Sequence, residues 1–356
     1  MRSARTAVQR WTVMTMRHET YDLRQMQSLP LAAKVSMTKR RIRDWYDGWE
    51  GQVYLSFSGG KDSTVLKHII EDMCLDIPSV FIDTGLEYPE IRAFAKSQSN
   101  VTVVRPKMNF RDVILKYGYP IIGKEVAHKI HEARIAIEHG TTNARTFRSF
   151  DGSMAGSMFD YSKYKYLLTA PFKVSHLCCD KTKKQPAHEY EKETERHPII
   201  ASMAVESRAR LQKWLQYGCN AFDMKRPRST PMAFWTEQDV LHYIVANHLL
   251  ICSVYGEIKH VQKNQLNGQI DLIDSIGYEE GDKLQCTGCQ RTGCVFCGFG
   301  AHLDKEPTRF QRLKQTHPKH WEYCIKGGEF VNGMWQPSKD GLGMGFVLDY
   351  IGAKYE

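Results

Sequence analysis

The sequence has no apolar run near the roughly 18 residues that a membrane-crossing helix needs; stretches such as Leu249–Cys252 stop after a few positions. The segment Met1–Met16 carries Arg2, Arg5 and Arg10 but no acid and no apolar core of the signal-peptide kind, so a secretory signal is not expected there. It reads as a transit peptide or an over-long gene start, and Met14 and Met16 just downstream favour the second. No repeat is visible. Nor is there the apolar deficit of a disordered chain: hydrophobic residues make up 42% and charged residues 25%. The 356 residues suffice for a large catalytic domain plus an appendage. The expectation is a soluble, cytoplasmic protein with no membrane partner.

Lys and Arg number 49 against 40 Asp and Glu, a net charge of +9 that suits a polyanionic partner, nucleotide or nucleic acid. Part of the excess is local. Lys34, Lys39, Arg40, Arg41 and Arg43 crowd one segment, which reads either as a solvated helix face or as a nucleic-acid contact. Ten cysteines in a chain this large, without an export signal, do not suggest a disulfide scaffold. Six fall in two clusters, Cys178-Cys179 and Cys286, Cys289, Cys294 and Cys297, which points to a metal or redox site. Cys74, Cys219, Cys252 and Cys324 read as buried small hydrophobes.

Alternating β-rich and helically spaced segments predict strands at 52–58, 79–82, 101–104 and 198–202. Helices are predicted at 30–48, 62–73, 88–97, 110–117, 123–139 and 206–217, and Thr236 with Asp239 starts another to Asn247. Such alternation implies βαβ units and a Rossmann-like parallel sheet with helices on both faces. The expected organisation is a basic helical segment at 1–50, a nucleotide-binding domain at 51–250 with an insertion or lid at 121–175, and a cysteine-rich metal region at 251–356.

The most informative segment is Ser58-Gly59-Gly60-Lys61-Asp62-Ser63, between the first strand and its helix. Two glycines let the backbone approach an anion. The helix offers free N–H groups and partial positive charge, Lys61 adds an ammonium, and the Ser58 and Ser63 hydroxyls add donors. It is no Walker A loop, since Leu55 occupies the position of that motif's first glycine. Asp83, at a strand's C-terminal end before Thr84-Gly85, occupies a position where α/β sheets place ligand residues.

Ser58–Ser63 resembles the PP-loop of N-type ATP pyrophosphatases, which split ATP between its α and β phosphates. Within that superfamily the chain resembles the phosphoadenosine-phosphosulfate (PAPS) reductase family. The resemblance rests on Phe81-Ile-Asp83-Thr84-Gly85-Leu-Glu87-Tyr-Pro-Glu90, Cys178-Cys179-Asp-Lys-Thr-Lys183-Lys184, Glu206-Ser207-Arg208-Ala-Arg210, and Trp235 with Asp239-Val240 and Tyr243, in the family's order over roughly residues 50 to 300. It implies a nucleotide held by Ser56, Ser58, Gly59, Gly60, Lys61, Asp62, Ser63, Asp83, Thr84, Gly85, Glu206, Ser207 and Arg208, with Lys61, Asp62 and Asp83 catalytic and Mg²⁺ accompanying ATP, PAPS or APS. Trp235 and the helix after it read as core.

Two CxxC pairs within twelve residues are a strong ligand signal, and spacing alone leaves zinc and an iron–sulfur cluster open. The resemblance favours a 4Fe-4S cluster over zinc. Cluster-bearing family members would use Cys178, Cys179, Cys294 and Cys297, whereas a DNA-phosphorothioation branch would use Cys286, Cys289, Cys294 and Cys297. The pair left over reads as a sulfur-carrying or redox dithiol. Two features depart from a sulfonucleotide reductase: the loop is complete with its lysine, and the segment Leu348–Glu356 has no cysteine of the Glu-Cys-Gly-Leu-His kind. The expected function is an enzyme that cleaves ATP to AMP and pyrophosphate and activates tRNA or DNA for iron–sulfur-dependent sulfur transfer, with a possible sulfur-donor protein as partner. An APS or PAPS reductase forming sulfite and a non-catalytic nucleotide-binding accessory protein are the alternatives.

Overall fold

The computed structural model describes residues 17–141, 147–261 and 283–356. Arg2, Arg5 and Arg10, and a short part of the 121–175 segment, lie outside the described residues. The elements that position the site are α1 (Thr20–Gln27), α2 (Leu31–Gly48), β1 (Val53–Ser56), α3 (Lys61–Asp72), β2 (Ser79–Ile82), α4 (Pro89–Ser97), β3 (Val101–Val104), α5 (Phe110–Tyr117), β4 (Ile121–Ile122), α6 (Lys124–Glu138), α7 (Gln185–Thr194), β5 (His197–Ile200), α8 (Arg208–Tyr217), β6 (Asn220–Ala221), β7 (Arg228–Ser229) and α9 (Glu237–Ala246). Beyond them lie β8 (Ile258–Val261), β9 (Lys283–Cys286), β10 (Gly298–Phe299), α10 (Arg309–Thr316), α11 (Pro318–Ile325), β11 (Gly328–Val331), β12 (Met334–Pro337) and α12 (Met344–Tyr350). The chain forms two units that interleave in sequence: 1–81, 94–102 and 195–290 in the first, and 82–93, 103–194 and 291–356 in the second. Among the described residues no helix is long and apolar enough to cross a membrane.

The first unit is built on a six-stranded sheet of order β3-β2-β1-β5-β7-β6. β1 pairs in parallel with β2 and β5, and β5 with β7, while β6 runs antiparallel to β7. Val53, Tyr54 and Leu55 are all buried, as expected of a central parallel strand covered on both faces. The core collects Val65, Leu66, Ile69 and Ile70 of α3, Ile42 and Trp45 of α2, and Trp235, Val240 and Ile244 around α9. The predicted α/β class is the one observed, a mostly parallel sheet flanked by helices.

Of the basic cluster on α2, Lys34 is not on a surface at all. It is fully buried, its ammonium 2.8 Å from both oxygens of the equally buried Asp239. Asp239 also accepts from the Thr236 N–H at 2.7 Å, completing the capping box predicted for α9. Lys39 pairs with Asp72, which leaves Arg40 and Arg43 exposed.

The second unit has its own core, drawn from Val113 and Ile114 of α5, Ala127, Ile130 and Ala133 of α6, Leu167, Phe172 and Val174, and Met344, Val347 and Leu348 of α12. The described parts of 121–175 thus supply core residues. β10 pairs in parallel with β4 and so ties the cysteine-rich segment to α6. β11 and β12 form an antiparallel hairpin.

The Lys34–Asp239 pair yields a stability prediction. Removing one partner leaves the other charge buried, so Lys34→Ala should cost about 3–5 kcal/mol in denaturant unfolding. A loss under about 1 kcal/mol, the range of an exposed pair, would contradict this assignment.

Candidate functional site

In the strand order, the path β1-β2-β3 runs one way from β1 and β5 lies on the other side. The C-terminal end of β1 is therefore a switch point, where open α/β sheets bind ligands. The Ser58–Ser63 loop leaves the sheet at this point. Gly59 adopts φ +71°, a left-handed conformation that a side chain would strain, and Gly60 caps α3 with extended backbone. The Ser63 hydroxyl lies 3.2 Å from the Ser58 N–H and 3.0 Å from the Ser58 hydroxyl, and it donates to Gly60 O at 2.9 Å. The Thr64 hydroxyl donates to the same carbonyl at 3.0 Å. These bonds curl the loop over the first turn of α3, where amides without helical partners gather. Asp62 lies half-buried in that turn, and Ser56 ends β1.

Lys61 opens α3 and is buried. Its ammonium donates to the Gln290 carbonyl at 2.6 Å and lies 3.0 Å from the Glu237 carboxylate, 5.5 Å from the centre of the Tyr255 ring. Its backbone N–H donates to the Tyr255 hydroxyl at 3.2 Å. The lysine is thus held at the head of the helix by three residues that sequence reasoning did not single out. Glu237 carried a faint signal, since it opens the helix predicted from Thr236. Tyr255 and Gln290 carried none.

The Glu206-Ser207-Arg208 segment follows β5 in the same unit. The Glu206 carboxylate accepts from the Met203 N–H at 2.8 Å and pairs with Arg210, while the Ser207 hydroxyl caps α8 by accepting from Arg210 N–H at 3.3 Å. Arg208 is exposed at the start of α8.

Asp83, Thr84 and Gly85 belong to the second unit. Asp83 is buried, and Arg92 grips it through two bonds of 2.7 and 2.9 Å. Gly85 sits at φ +74° with open space where a side chain would stand. The Thr84 hydroxyl and N–H donate to Glu87 at 2.7 and 3.1 Å, and Glu87 lies 4.0 Å from the Lys183 ammonium.

Lys183 leads to the thiols. Burial works against its charge, but Cys294 and Glu87 raise its pKa above the ordinary lysine value. In this unit Cys178, Cys179, Cys294 and Cys297 lie close enough to act on one another electrostatically. The Cys178 thiol donates to Cys179, which raises the first pKa and lowers the second; Lys124 and Lys183 lower Cys179 further. Burial pushes Cys294 up to about 11, with Lys183 opposing. Burial also raises Cys297, and Arg309 opposes that shift while its guanidinium donates to the Cys297 and Phe299 carbonyls at 3.2 and 2.9 Å. The Cys294–Cys297 turn is anchored by the Val295 N–H on Leu86 O at 2.8 Å. Lys124 and Arg309 were also unmarked in the sequence.

Cys286 and Cys289 belong to the first unit, where Cys286 lies in the electrostatic field of Lys61. Among the described residues no three His, Cys, Asp or Glu side chains are grouped so as to hold a metal ion. The four thiols of the second unit, surrounded by Lys124, Lys183 and Arg309, do match in kind the tetrathiolate donor set and charge compensation of an iron–sulfur cluster.

The hydrogen bond between the tandem cysteines predicts unequal reactivity. With its pKa lowered, Cys179 is more ionised than Cys178 at neutral pH, and the thiolate is the nucleophile. In metal-free protein, mass spectrometry after brief iodoacetamide treatment at pH 7 should show Cys179 alkylated well ahead of Cys178. Equal labelling would contradict the assignment.

Comparison with known proteins finds a family match over the segment that contains the loop. Residues 52–144 match the family model described as the phosphoadenosine phosphosulfate reductase domain. An uncharacterized protein of Methanocaldococcus jannaschii is 29% identical over 132 residues, which are 35% of this chain and 32% of that protein. The match therefore spans about a third of the relative. The crystal structure of phosphoadenylyl-sulfate (PAPS) reductase from Candida auris in its phosphate complex is similar over 67% of this chain and 92% of that one, at 14% identity and a TM-score of 0.34. A likeness that slight supports no reading of function. The β1–loop–α3 core lies inside the matched residues, so this part of the chain is similar to the phosphoadenosine phosphosulfate reductase domain.

Proposed function

We propose that this chain is a cytoplasmic enzyme that binds ATP on Ser58–Ser63 and cleaves it to AMP and pyrophosphate, so activating tRNA or DNA for sulfur transfer. The observation that carries the reading is the loop itself: complete in sequence, with Gly59 in the left-handed region, Lys61 opening α3, and the turn set at the switch point of the sheet. The match to the PAPS reductase domain supports adenine nucleotide as the ligand class.

The loop amides and the Ser58 and Ser63 hydroxyls bind the phosphates together with Mg²⁺. The Lys61 ammonium turns from the Gln290 carbonyl toward the bridging and terminal phosphate oxygens. An acceptor oxygen attacks the α-phosphorus; the new P–O bond forms as the α–β bridge breaks, and pyrophosphate leaves carrying the charge that Lys61 stabilises. A hydrosulfide then displaces AMP, the acceptor–sulfur bond forming as the acceptor–oxygen bond breaks. A donor-protein persulfide does the same to give acceptor–S–S–donor, which a second donor thiol cleaves by exchange, leaving the donor as disulfide. Ser56, Asp62, Glu206, Ser207 and Arg208 belong to the nucleotide side of this reading within the first unit. Asp83, clamped by Arg92, holds the turn into Thr84-Gly85.

Cys178, Cys179, Cys294 and Cys297 would hold a 4Fe-4S cluster, whose chemistry is electron transfer or the binding of sulfur. What favours this set over one using Cys286 and Cys289 is the electrostatic coupling of these four thiols within a single unit and the cations around them.

Anaerobically purified protein incubated with α-labelled ATP, tRNA or DNA and a persulfide donor should release AMP and pyrophosphate. Lys61→Ala should slow that release about a hundredfold or more, as loss of one transition-state donor does. No AMP with any acceptor, together with sulfite formed from PAPS, would replace this reading with sulfonucleotide reduction.

A further inference from the structure

Cys286 and Cys289 have no part in the four-thiol group, yet the turn that carries them reaches the phosphate loop. Cys286 ends β9 and is buried, Cys289 is half-buried, and both thiols are free. Gln290 follows at once, and its carbonyl accepts the Lys61 ammonium at 2.6 Å. The Gln290 side chain donates back to Cys286 O at 2.6 Å, closing the turn. Three backbone bonds dock this turn on the segment around Tyr255: Thr287 N–H to Glu257 O at 2.8 Å, Gly288 N–H to Tyr255 O at 2.9 Å and Cys289 N–H to Val254 O at 2.9 Å. The fit is tight, since a Cβ on Gly288 would lie 2.4 Å from Val254 O. Tyr255 in turn takes the Lys61 N–H through its hydroxyl. The Lys61 ammonium is therefore held by the dithiol turn and by Glu237, and its backbone N–H by the residue on which that turn packs.

A disulfide fixes its two Cβ atoms about 3.8 Å apart with a dihedral near 90°. Residues 286–289 form a short span pinned at three amides, so imposing that geometry displaces its free end, the Gln290 carbonyl. We propose that Cys286 and Cys289 are a redox site that gates the phosphate loop: as dithiol the turn holds Lys61, and as disulfide it releases Lys61 to the nucleotide. The step is thiol–disulfide exchange with a small disulfide such as oxidised glutathione. The Cys289 thiolate attacks, one glutathione leaves, Cys286 displaces the second, and two thiols are oxidised as one external disulfide is reduced. Cys286, whose pKa is raised by burial, suits the resolving rather than the attacking role.

The inference rests on the reading of Ser58–Ser63 as the nucleotide loop. The experiment measures equilibrium ATP affinity of anaerobically prepared full-length protein in reduced and oxidised glutathione buffers, with the Cys286–Cys289 disulfide verified by differential alkylation and peptide mass. The expected result is affinity about tenfold tighter in the disulfide form, the worth of one charged hydrogen bond. That difference should be absent in Cys289→Ser and, should that variant not fold, should track the disulfide fraction in the unsubstituted chain. Lys61→Ala separates the two levels. If it binds ATP as tightly as the unsubstituted chain, the loop reading fails. If it binds weakly but the redox state leaves the unsubstituted chain unchanged or weaker, only the gate fails.

Discussion

A lysine ammonium placed at the positive end of a helix is held there against electrostatic preference, and Lys61 shows how that is done. It opens α3, where the unpaired amides already favour an anion, and the fold keeps it in place with a carbonyl, a carboxylate and an aromatic ring supplied by Gln290, Glu237 and Tyr255. Without a nucleotide these acceptors stabilise the charge. A triphosphate offers stronger acceptors at the same helix end and competes for it. The left-handed Gly59 and the Ser58–Ser63 hydroxyl bonds keep the loop open for that exchange.

Positive charge is used differently elsewhere in the molecule. Lys34 is spent inside the first core on Asp239 and joins α2 to α9. Lys124, Lys183 and Arg309 attend four thiols in the second unit, where deprotonation for metal binding would otherwise pile up negative charge in a buried place. Lys183 also meets Glu87, which Thr84 orients, so the Asp83–Glu87 segment and the thiols share one network of charges. The net charge of +9 is therefore not simply a surface available to nucleic acid.

Most of the α/β frame was legible. Strands 79–82 and 101–104 and the helix at 110–117 have the bounds that alternation and helical spacing predict, although only the first strand is mostly buried and the second is an edge strand with Thr102 and Val103 exposed. α3 begins at Lys61, and α8 begins at Arg208 after Ser207, where a cap rather than hydrophobic spacing sets the start. Contacts between residues far apart in sequence were not legible. Lys34 reads as surface because its partner lies 205 positions away, and Tyr255 and Gln290 stand 194 and 229 positions from Lys61. The run of four cysteines looks like one site in sequence, yet the boundary between the two units falls between Gln290 and Arg291 and divides it.

The most direct measurement is the structure of the full-length protein bound to α,β-methylene ATP and Mg²⁺. The account predicts phosphate oxygens on the amides of residues 59–63 and the Lys61 ammonium turned to them and off the Gln290 carbonyl. A nucleotide bound elsewhere, or one seated there while Lys61 keeps its present partners, would contradict it.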